Sequence, residues 1–370
     1  MNKLFYSISL LIVLLAALAL LASMGTAYLS PAKLHIFAFA GFVFPALWLI
    51  NLFLIVWLLF RKSWLILIPA IALALTYSHW TNVFQLKGRQ ADSNASLQQP
   101  VTVMSYNTRM FDFYDHSGLP ETPKKIFDFV LGQSPDIICF QEYFTSLRRD
   151  EYTPNAMAAK FRAYQHKRIE YLQTHKGNTG YGLAIFSKYP IIDGGAIRFE
   201  HSRNLAIYSD IDVKGIVVRV FNTHLESIGF QDDDLNVLDS LDFIMSESQK
   251  QGLINISTKL TRAFNMRSNQ AEALALHISN SPYPVIVCGD FNDTPVSYVY
   301  RTMRGPLKDA FRESGSGFGG TYNGRLPSYR IDYVFHAPEF KSYNFETFPI
   351  KYSDHYPIMT TIDLQPKNNR

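Results

Sequence analysis

Carboxylate, amide and imidazole side chains stand at the ends of short apolar runs in this sequence. Runs such as VTVMSY, DIICF, IVVRVF and PVIVC lead into or lie beside the polar residues Asn107, Glu142, His224, Asp290, Asn292, Asp332, Asp354 and His355. One Asn or Asp at a strand end is ordinary turn chemistry, but six such ends are not explained by turns alone. If the ends converge, they form a site rich in oxygen ligands, which favours Mg²⁺, Mn²⁺ or Ca²⁺ over zinc.

The spacing inside two of these motifs suits a division of roles. Residues two apart in a strand share a face, so Asp290 and Asn292 can reach the same bound group. In the neighbouring pair Asp354 and His355, the carboxylate and the imidazole can serve different partners, one a metal and the other a phosphate. A carboxylate such as Asp332 beside His355 would fix the imidazole tautomer and raise its pKa, as in general acid–base sites. The spacing alone does not bring Asp332 and His355 together.

The elements expected to position these residues are mainly strands. The apolar, β-branched runs predict strands at 101–106, 136–140, 182–187, 206–212, 216–222, 284–288, 331–335 and 357–363. Helical patterns are fewer and predict helices at 123–133 and 262–279. Continuous apolar strands indicate burial on both faces, so the mixture predicts stacked β-sheets flanked by helices, an α/β sandwich.

The motifs YNTR, CFQE, FNTHL, CGDFND, RIDYVF and SDHYPI, in this order, resemble the endonuclease/exonuclease/phosphatase superfamily over roughly residues 100–365. Any one of these motifs would occur by chance, whereas six in the right order are specific. The resemblance implies a four-layer α/β sandwich, with two packed mixed β-sheets and an active site at one edge. It also implies metal-dependent hydrolysis of phosphoester bonds.

The resemblance implies a metal site with Mg²⁺ or Mn²⁺ as the cofactor. Glu142 would be the principal ligand, with Asn107 beside it, and Asp354 would contribute near a metal. Both one-metal and two-metal schemes stay open, and with them the identity of the base. From the residues alone, a site role is favoured for Asn107, whereas Asn222 suits a turn cap and a site role equally.

The resemblance also implies catalytic roles for five residues. Asp290 would orient or deprotonate the attacking water, and Asn292 would stabilise the transition state. His355, oriented by Asp332, would contact the scissile phosphate. His224 would contact phosphate or assist the leaving group. Metal and imidazolium would then neutralise the charge that develops on the phosphate oxygens during in-line attack.

The first quarter of the chain has a different composition. Residues 1–91 contain no Asp or Glu and only six cations. Apolar runs at about 4–22, 34–60 and 64–80 reach or approach the roughly 20 residues that a membrane-spanning helix needs. A signal peptide would explain the first run, but two more runs behind it favour an anchor of three helices. We therefore expect an anchor over 1–80, a linker over 81–100 and a catalytic domain over 101–365.

The orientation of this anchor depends on few charges. Three cations lie on each side of the predicted spans, so the positive-inside count is a tie. The tight Arg61–Lys62 turn decides between the two orientations and favours a cytoplasmic N-terminus. We therefore expect an integral membrane protein of a bacterial inner membrane, with the catalytic domain facing outside, in the periplasm.

Charge limits the choice of substrate. The other 29 of the 35 cations stand against all 31 acids, which gives residues 92–370 a net charge of −2. This balance argues against a polycation that binds nucleic acid by bulk phosphate neutralisation. A local basic rim that includes Arg148 stays open, and Tyr181 and Arg203 could line a substrate groove.

The expected function is a membrane-anchored, nuclease-like phosphodiesterase that uses an activated water. The first alternative is a lipid phosphodiesterase or phosphatase of the sphingomyelinase or phosphoinositide type. The second is a non-catalytic, membrane-tethered binding module. The expected substrate is a phosphoester, either a nucleic acid or a phospholipid headgroup, and no protein partner is predicted.

Overall fold

The computed structural model describes residues 3–34, 36–91, 97–175, 178–240 and 245–365. Its N-terminal part consists of the helices α1 (Lys3–Ser23), α2 (Gly25–Tyr28), α3 (Ile36–Phe60) and α4 (Leu67–Val83). Three segments, Leu4–Tyr28, Phe37–Phe60 and Trp64–Val83, are long and apolar enough to cross a membrane, judged by length and composition. They correspond to the three predicted runs. One residue of the second run, His35, lies outside the described residues. These long apolar helices suggest membrane anchoring.

The three long helices pack against one another as a bundle. The ring of Trp48 in α3 stacks on that of Trp80 in α4, with centroids 4.0 Å apart. The buried Asn51 amide donates to the carbonyl oxygens of Ala16 (3.1 Å) and Leu47 (2.9 Å). An amide inside such a bundle needs these partners because neither lipid nor apolar side chains can replace water as an acceptor.

The rest of the chain folds into twelve strands and six further helices within the described residues. The strands are β1 (Pro100–Asn107), β2 (Ile137–Ser146), β3 (His166–His175), β4 (Thr179–Ser187), β5 (Ile191–Arg198), β6 (Leu205–Val213), β7 (Ile216–His224), β8 (Val285–Asp290), β9 (Lys308–Asp309), β10 (Asp332–His336), β11 (Lys341–Thr347) and β12 (Ile358–Asp363). The helices are α5 (Thr122–Gln133), α6 (Pro154–Lys160), α7 (Asp232–Asp239), α8 (Glu247–Ser279), α9 (Tyr298–Arg304) and α10 (Ala310–Ser314).

The strands form two mixed sheets of six. Their orders are β11-β12-β1-β2-β4-β3 and β5-β6-β7-β8-β10-β9. Each sheet contains one parallel pair near its centre, β1 with β2 and β7 with β8, and its other pairs are antiparallel. The predicted four-layer sandwich of two packed mixed sheets is confirmed.

The layers are held together by three apolar clusters. Alternate residues of β1, β2, β6, β7 and β8 meet between the sheets, for example Val103, Ile207 and Ile286. The outer face of the first sheet packs on α5 and α6, and that of the second on α8 and α9. Burial of these side chains supplies about 25 cal/mol per Å² of apolar surface, which fixes the two sheets face to face.

The segment after α4, predicted to be a linker, is hydrogen-bonded to the sandwich. The backbones of Gln85 and Gly317 exchange two hydrogen bonds of 2.9 and 2.8 Å. The Arg89 amide donates to the Glu313 carbonyl oxygen (2.9 Å), and the Gln99 amide donates to the Asp363 carboxylate (2.9 Å). Residues 92–96 of this segment lie outside the described residues. The described ends of the segment are therefore fixed to the sandwich.

Candidate active site

Two parallel strand pairs carry most of the candidate site. Asn107 is the last residue of β1, beside the parallel strand β2. His224 and Asp290, which are register partners, are the last residues of β7 and β8. Asp332 begins β10 directly opposite Asp290. Because the carboxyl ends of parallel strands lie at the same edge of a sheet, these side chains are brought to one place.

The buried carboxylate of Asp290 is the centre of the site. Its Oδ2 accepts a hydrogen bond from the Asn107 amide (3.0 Å) and lies 3.6 Å from His224 Nε2 and 3.5 Å from His355 Nε2. Its Oδ1 accepts from the backbone N–H of Asn292 (2.8 Å). Four other predicted site residues thus contact the Asp290 carboxylate.

His355 is held between two carboxylates. Its Nδ1 donates to Asp332 Oδ2 (2.9 Å), while its Nε2 faces Asp290. Burial disfavours the imidazolium, but the carboxylates of Asp332 and Asp290 outweigh burial and raise the pKa of His355 well above 6.5. The structure therefore brings Asp332 to His355, an arrangement that the sequence spacing left open.

Asn292 adopts a backbone conformation that is rare for residues other than glycine, with φ +54°. Its side-chain amide donates to the Leu225 carbonyl oxygen (3.0 Å), and its own carbonyl oxygen accepts a hydrogen bond from the Arg267 guanidinium. Such strain persists only where the surroundings fix it, and it is concentrated at functional sites.

Glu142 lies at a bulge in β2, where the register against β4 shifts between Phe140 and Tyr143. Its φ is +53°. Desolvation by the surrounding protein raises the pKa of the carboxyl group; His224 opposes this, and Asp354 adds to it. A β-bulge re-aims a side chain, and here it directs Glu142 into the cleft beside the strand ends.

Asp354 lies at the edge of the site. Its Oδ2 is 3.5 Å from Arg109 Nε, and its Oδ1 accepts a hydrogen bond from the Ser353 hydroxyl (3.3 Å). Arg109 is also tied to Asn107, whose side-chain oxygen accepts the Arg109 backbone N–H (3.1 Å). The structure thus places Asp354 against Arg109 rather than against Asp290.

The chemistry of the donor groups fits a hard divalent cation. Ligand atoms of Asp290, Asp332 and His355 lie within 4.8 Å of one another, and Asp332 Oδ1 is buried without a hydrogen-bond partner. This group differs from the predicted ligands Asn107, Glu142 and Asp354. Both nitrogens of His355 face carboxylates, one in a hydrogen bond to Asp332 and the other in an ion pair with Asp290, so the three residues as placed form one network. The sequence resemblance implies a divalent cation, and buried oxygen atoms of this kind are the donors that such a cation prefers.

A cleft of about 740 Å³ opens in front of the site. Glu142 and His224 lie on its wall, and its other lining residues include Tyr114, Arg148, Tyr181, Arg203 and Asn204. Burial first, then the charge of the Glu142 carboxylate, raises the pKa of Tyr181 well above 10. The phenol therefore stays protonated beside Glu142.

Two of these neighbours, Arg109 and Tyr181, have no specific catalytic or metal-binding role in the predictions from sequence. Arg109 belongs to the YNTR motif, and that motif is the signal that could have pointed to it. Tyr181 was only a weak candidate for the groove, because it belongs to β4 and its approach to Glu142 depends on the bulge in β2.

Residues 104–355 match the sequence profile described as the Endonuclease/Exonuclease/phosphatase family. The chain belongs to this family. The family match, together with the fold and the buried Asp/His cluster, identifies a phosphoester hydrolase. Residues 2–83, which contain the apolar helices, match a profile described as a domain of unknown function. A search of curated proteins found no match.

Solved structures of the family have the same fold. An endonuclease/exonuclease/phosphatase from Beutenbergia cavernae matches with a TM-score of 0.52 and 20% identity, covering 72% of each chain. A family protein from Bacteroides thetaiotaomicron matches with a TM-score of 0.50 and 17% identity, covering 71% of this chain and 97% of its own. At these identities the matches show the fold alone.

Proposed function

We propose that this protein is a membrane-anchored phosphodiesterase that requires Mg²⁺ or Mn²⁺ and cleaves by in-line attack of water. The observation that carries the proposal is the set of contacts around Asp290. Asn107, His224 and His355 all converge on its Oδ2 at the edge of an open cleft. A binding module would have no need to desolvate a carboxylate and two imidazoles at one point.

The residues around Asp290 suit the steps of phosphoester hydrolysis. Asp290 orients the attacking water or accepts its proton, while Asn292 stabilises the charge of the transition state. His355, kept protonated by Asp332, neutralises charge on the scissile phosphate. His224, on the cleft side of Asp290, contacts the phosphate or assists the leaving group.

The cation belongs beside the Asp290 network, on Glu142, with Asn107 next to it and Asp354 nearby. When bound, it supplies positive charge to the phosphate oxygens and to the leaving group. Glu142 suits this role because the protein already desolvates its carboxylate, and a cation would offset that cost.

The cleft favours a diester with further phosphates, as in a nucleic acid. Arg148 and Arg203 line it and supply two guanidinium groups for further phosphates of the substrate. A phospholipid headgroup is the second candidate substrate, because apolar helices anchored in a bilayer would hold the sandwich close to the lipids. We also propose that the catalytic domain faces the periplasm, which protease digestion of intact spheroplasts would test.

The full chain in detergent or nanodiscs is the right material for the test. It is offered bis-p-nitrophenyl phosphate, single-stranded RNA, plasmid DNA, sphingomyelin and phosphoinositides, each with Mg²⁺, Mn²⁺, Ca²⁺ or EDTA. We expect metal-dependent cleavage that is lost in Glu142→Ala and His355→Ala. The exposed residues Glu339 and His277 provide the matched controls Glu339→Ala and His277→Ala. A folded protein that cleaves none of these substrates and binds no metal would favour the binding module instead.

A further inference from the structure

The end of β8 and the loop after it carry two of the candidate catalytic residues, Asp290 and Asn292, and the sandwich holds one side of this segment. We call residues 290–297 the catalytic loop. The Arg267 guanidinium donates to the Asn292 carbonyl oxygen, and its Nε lies 3.5 Å from Asp293 Oδ2. The Tyr333 hydroxyl donates to the Asp293 carbonyl oxygen (2.7 Å). These contacts come from α8 and β10.

The apolar helices cover the other side of the catalytic loop. Val296 belongs to the same buried apolar cluster as Leu20, Phe44 and Ala72 of the helix bundle. The side-chain amide of Asn82, near the end of α4, donates to the Pro295 carbonyl oxygen (3.1 Å). Asn82 is buried, so loss of its amide would leave the Pro295 carbonyl without this partner.

A second chain of contacts reaches the same loop from α3. The rings of Phe39 and Phe42 lie 5.3 and 6.0 Å from that of Phe264 in α8. The guanidinium of Arg267 also lies over the Phe264 ring, 5.0 Å from its centroid. Arg267 is fully buried and donates directly to the Asn292 carbonyl oxygen.

A third contact lies beside Asp332. Arg330 is buried and donates to the Asn82 carbonyl oxygen (2.8 Å) and to the Asp309 carboxylate (2.8 Å). The neighbouring Tyr329 hydroxyl donates to the Phe42 carbonyl oxygen (2.8 Å). The bundle is therefore hydrogen-bonded to the two residues that precede the strand starting at Asp332, as well as to Pro295 in the loop.

We infer that the membrane helices are part of the catalytic scaffold, and that Asn82 is a positioning residue for the catalytic loop. The inference rests on the proposed function, since that function makes the loop catalytic. Asn292 holds a strained φ, and a strained loop keeps its conformation only when the surrounding contacts over-determine it. Two of the contacts on residues 290–297, the Asn82 bond to Pro295 and the packing of Val296, come from the helices, and a simple tether would need neither.

The test compares two amide deletions within one bundle. Asn82→Ala removes the bond to the loop, whereas Asn51→Ala removes another buried amide, whose recorded hydrogen bonds are to bundle carbonyls. Hydrogen–deuterium exchange of the full chain in nanodiscs is measured over residues 291–297. We expect faster exchange there in Asn82→Ala and wild-type exchange in Asn51→Ala.

Steady-state kinetics on bis-p-nitrophenyl phosphate supply the second readout. We expect kcat of Asn82→Ala to fall about tenfold or more with KM nearly unchanged, because misplaced catalytic groups affect the chemical step. Arg148 and Arg203, which line the cleft, lie on other elements and would still bind substrate. Should Asn82→Ala fail to fold, Phe264→Leu tests the second chain of contacts with the same two measurements.

Each outcome has one meaning. Wild-type exchange and kcat in both Asn82→Ala and Phe264→Leu would overturn the inference, while loss of turnover in His355→Ala would leave the proposed function standing. If the wild type hydrolyses nothing, the proposed function fails, and the exchange data alone decide whether the helices hold the loop. Equal effects of Asn82→Ala and Asn51→Ala would reduce Asn82 to a general stabiliser of the bundle and overturn its positioning role.

Discussion

A single oxygen atom organises this site. Asp290 Oδ2 is within 3.6 Å of an amide nitrogen and two imidazole nitrogens, one of which belongs to the His355–Asp332 pair. A buried carboxylate is stable only with such partners, and the partners are in turn oriented by it. At the scale of residues, the proposed chemistry therefore depends on the pairing of charges more than on any one side chain.

Asp332→Asn should slow catalysis without unfolding the protein. The asparagine keeps the shape but removes the carboxylate that accepts from His355 Nδ1, so the imidazole loses both its orientation and its charge support. We expect kcat to fall about 100-fold, measured on a small phosphodiester. Asp363→Asn, a buried carboxylate that accepts backbone bonds near Gln99, is the control. An unchanged kcat in Asp332→Asn would contradict the role of the pair.

Gly289→Ala should be strongly destabilising. A Cβ at Gly289 would lie 2.0 Å from the Thr223 carbonyl oxygen in the adjacent parallel strand, and its φ is +142°. The strands cannot separate without moving Asp290, so we expect a loss of about 3 kcal/mol or more. In Gly215→Ala the φ is +92° but nothing lies within 4 Å, so only backbone strain of about 1 kcal/mol is added. Melting temperatures of the two variants check the difference.

Amides at strand ends illustrate what residue types alone leave undecided. Asn107 and Asn222 both end apolar runs, yet only Asn107 contacts Asp290. The Asn222 amide points between the sheets and donates to the carbonyl oxygens of Phe140 (2.9 Å) and Ala184 (3.0 Å). Both residues face the opposite sheet, but Asn107 is the last residue of β1, whereas Asn222 lies inside β7, which ends at His224. The place of each residue within its strand, and so its contacts, depends on sheet pairing, which one sequence does not contain.

At the scale of elements, the strands that carry the site were the predictable ones. The runs that became β1, β2, β7, β8, β10 and β12 are apolar because both their faces are covered. The strands β3 (HKRIEYLQTH) and β5 (IIDGGAIR) lie at sheet edges, where one side faces solvent. Their charged and glycine residues interrupt the apolar pattern from which strands were predicted. The helix α8 begins at Glu247 rather than 262, because a capping box of Ser246 and Gln249 starts it within a polar stretch.

Glu313 joins three elements, and its pKa predicts a pH-dependent stability. Burial opposes its ionisation, but bonds from His336 and the Ser342 amide, with Arg89 nearby, outweigh burial and hold the pKa at about 2. A carboxyl group with a lowered pKa stabilises the fold above its unfolded value near 4.5, and this contribution is lost as pH falls towards 2.

Glu313→Gln should therefore lower the free energy of unfolding by about 2–3 kcal/mol at pH 7. The difference from wild type should shrink between pH 4.5 and 2, the range bounded by the ordinary and the folded pKa. Chemical denaturation at a series of pH values checks this. Glu339→Gln, at an exposed position, is expected to leave the free energy of unfolding unchanged. A loss of stability in Glu313→Gln that did not depend on pH would contradict the lowered pKa of Glu313.

At the scale of the whole molecule, the bundle and the sandwich share an apolar interface. Val296 lies in the bundle cluster, and Phe318 packs against Trp80 (6.3 Å) and Phe84 (5.0 Å). The apolar runs predicted the helices, but their contact with the sandwich was not predicted, because the backbone exchange of Gln85 with Gly317 involves no characteristic side chain.

Removal of the helices should leave a fragment that associates. A fragment of residues 97–365 would expose Phe264 and Val296, which the bundle covers in the full chain. We expect it to elute as oligomers without detergent and to melt below the full chain, since a contiguous apolar patch drives association. Size-exclusion chromatography with light scattering measures this. A monodisperse monomer that melts with the full chain would contradict the shared interface.

The packing of the helices against the catalytic loop also determines which substrate concentration the reaction rate follows. If the apolar helices anchor the chain in a bilayer, the cleft samples two kinds of substrate concentration. A lipid substrate reaches it by lateral diffusion, so its rate follows the mole fraction of that lipid in the surface and falls when inert detergent dilutes the surface. A nucleic acid reaches it from bulk solution, and its rate follows volume concentration whatever the surface contains. Surface dilution at constant bulk concentration therefore separates the two substrate classes before any product is identified.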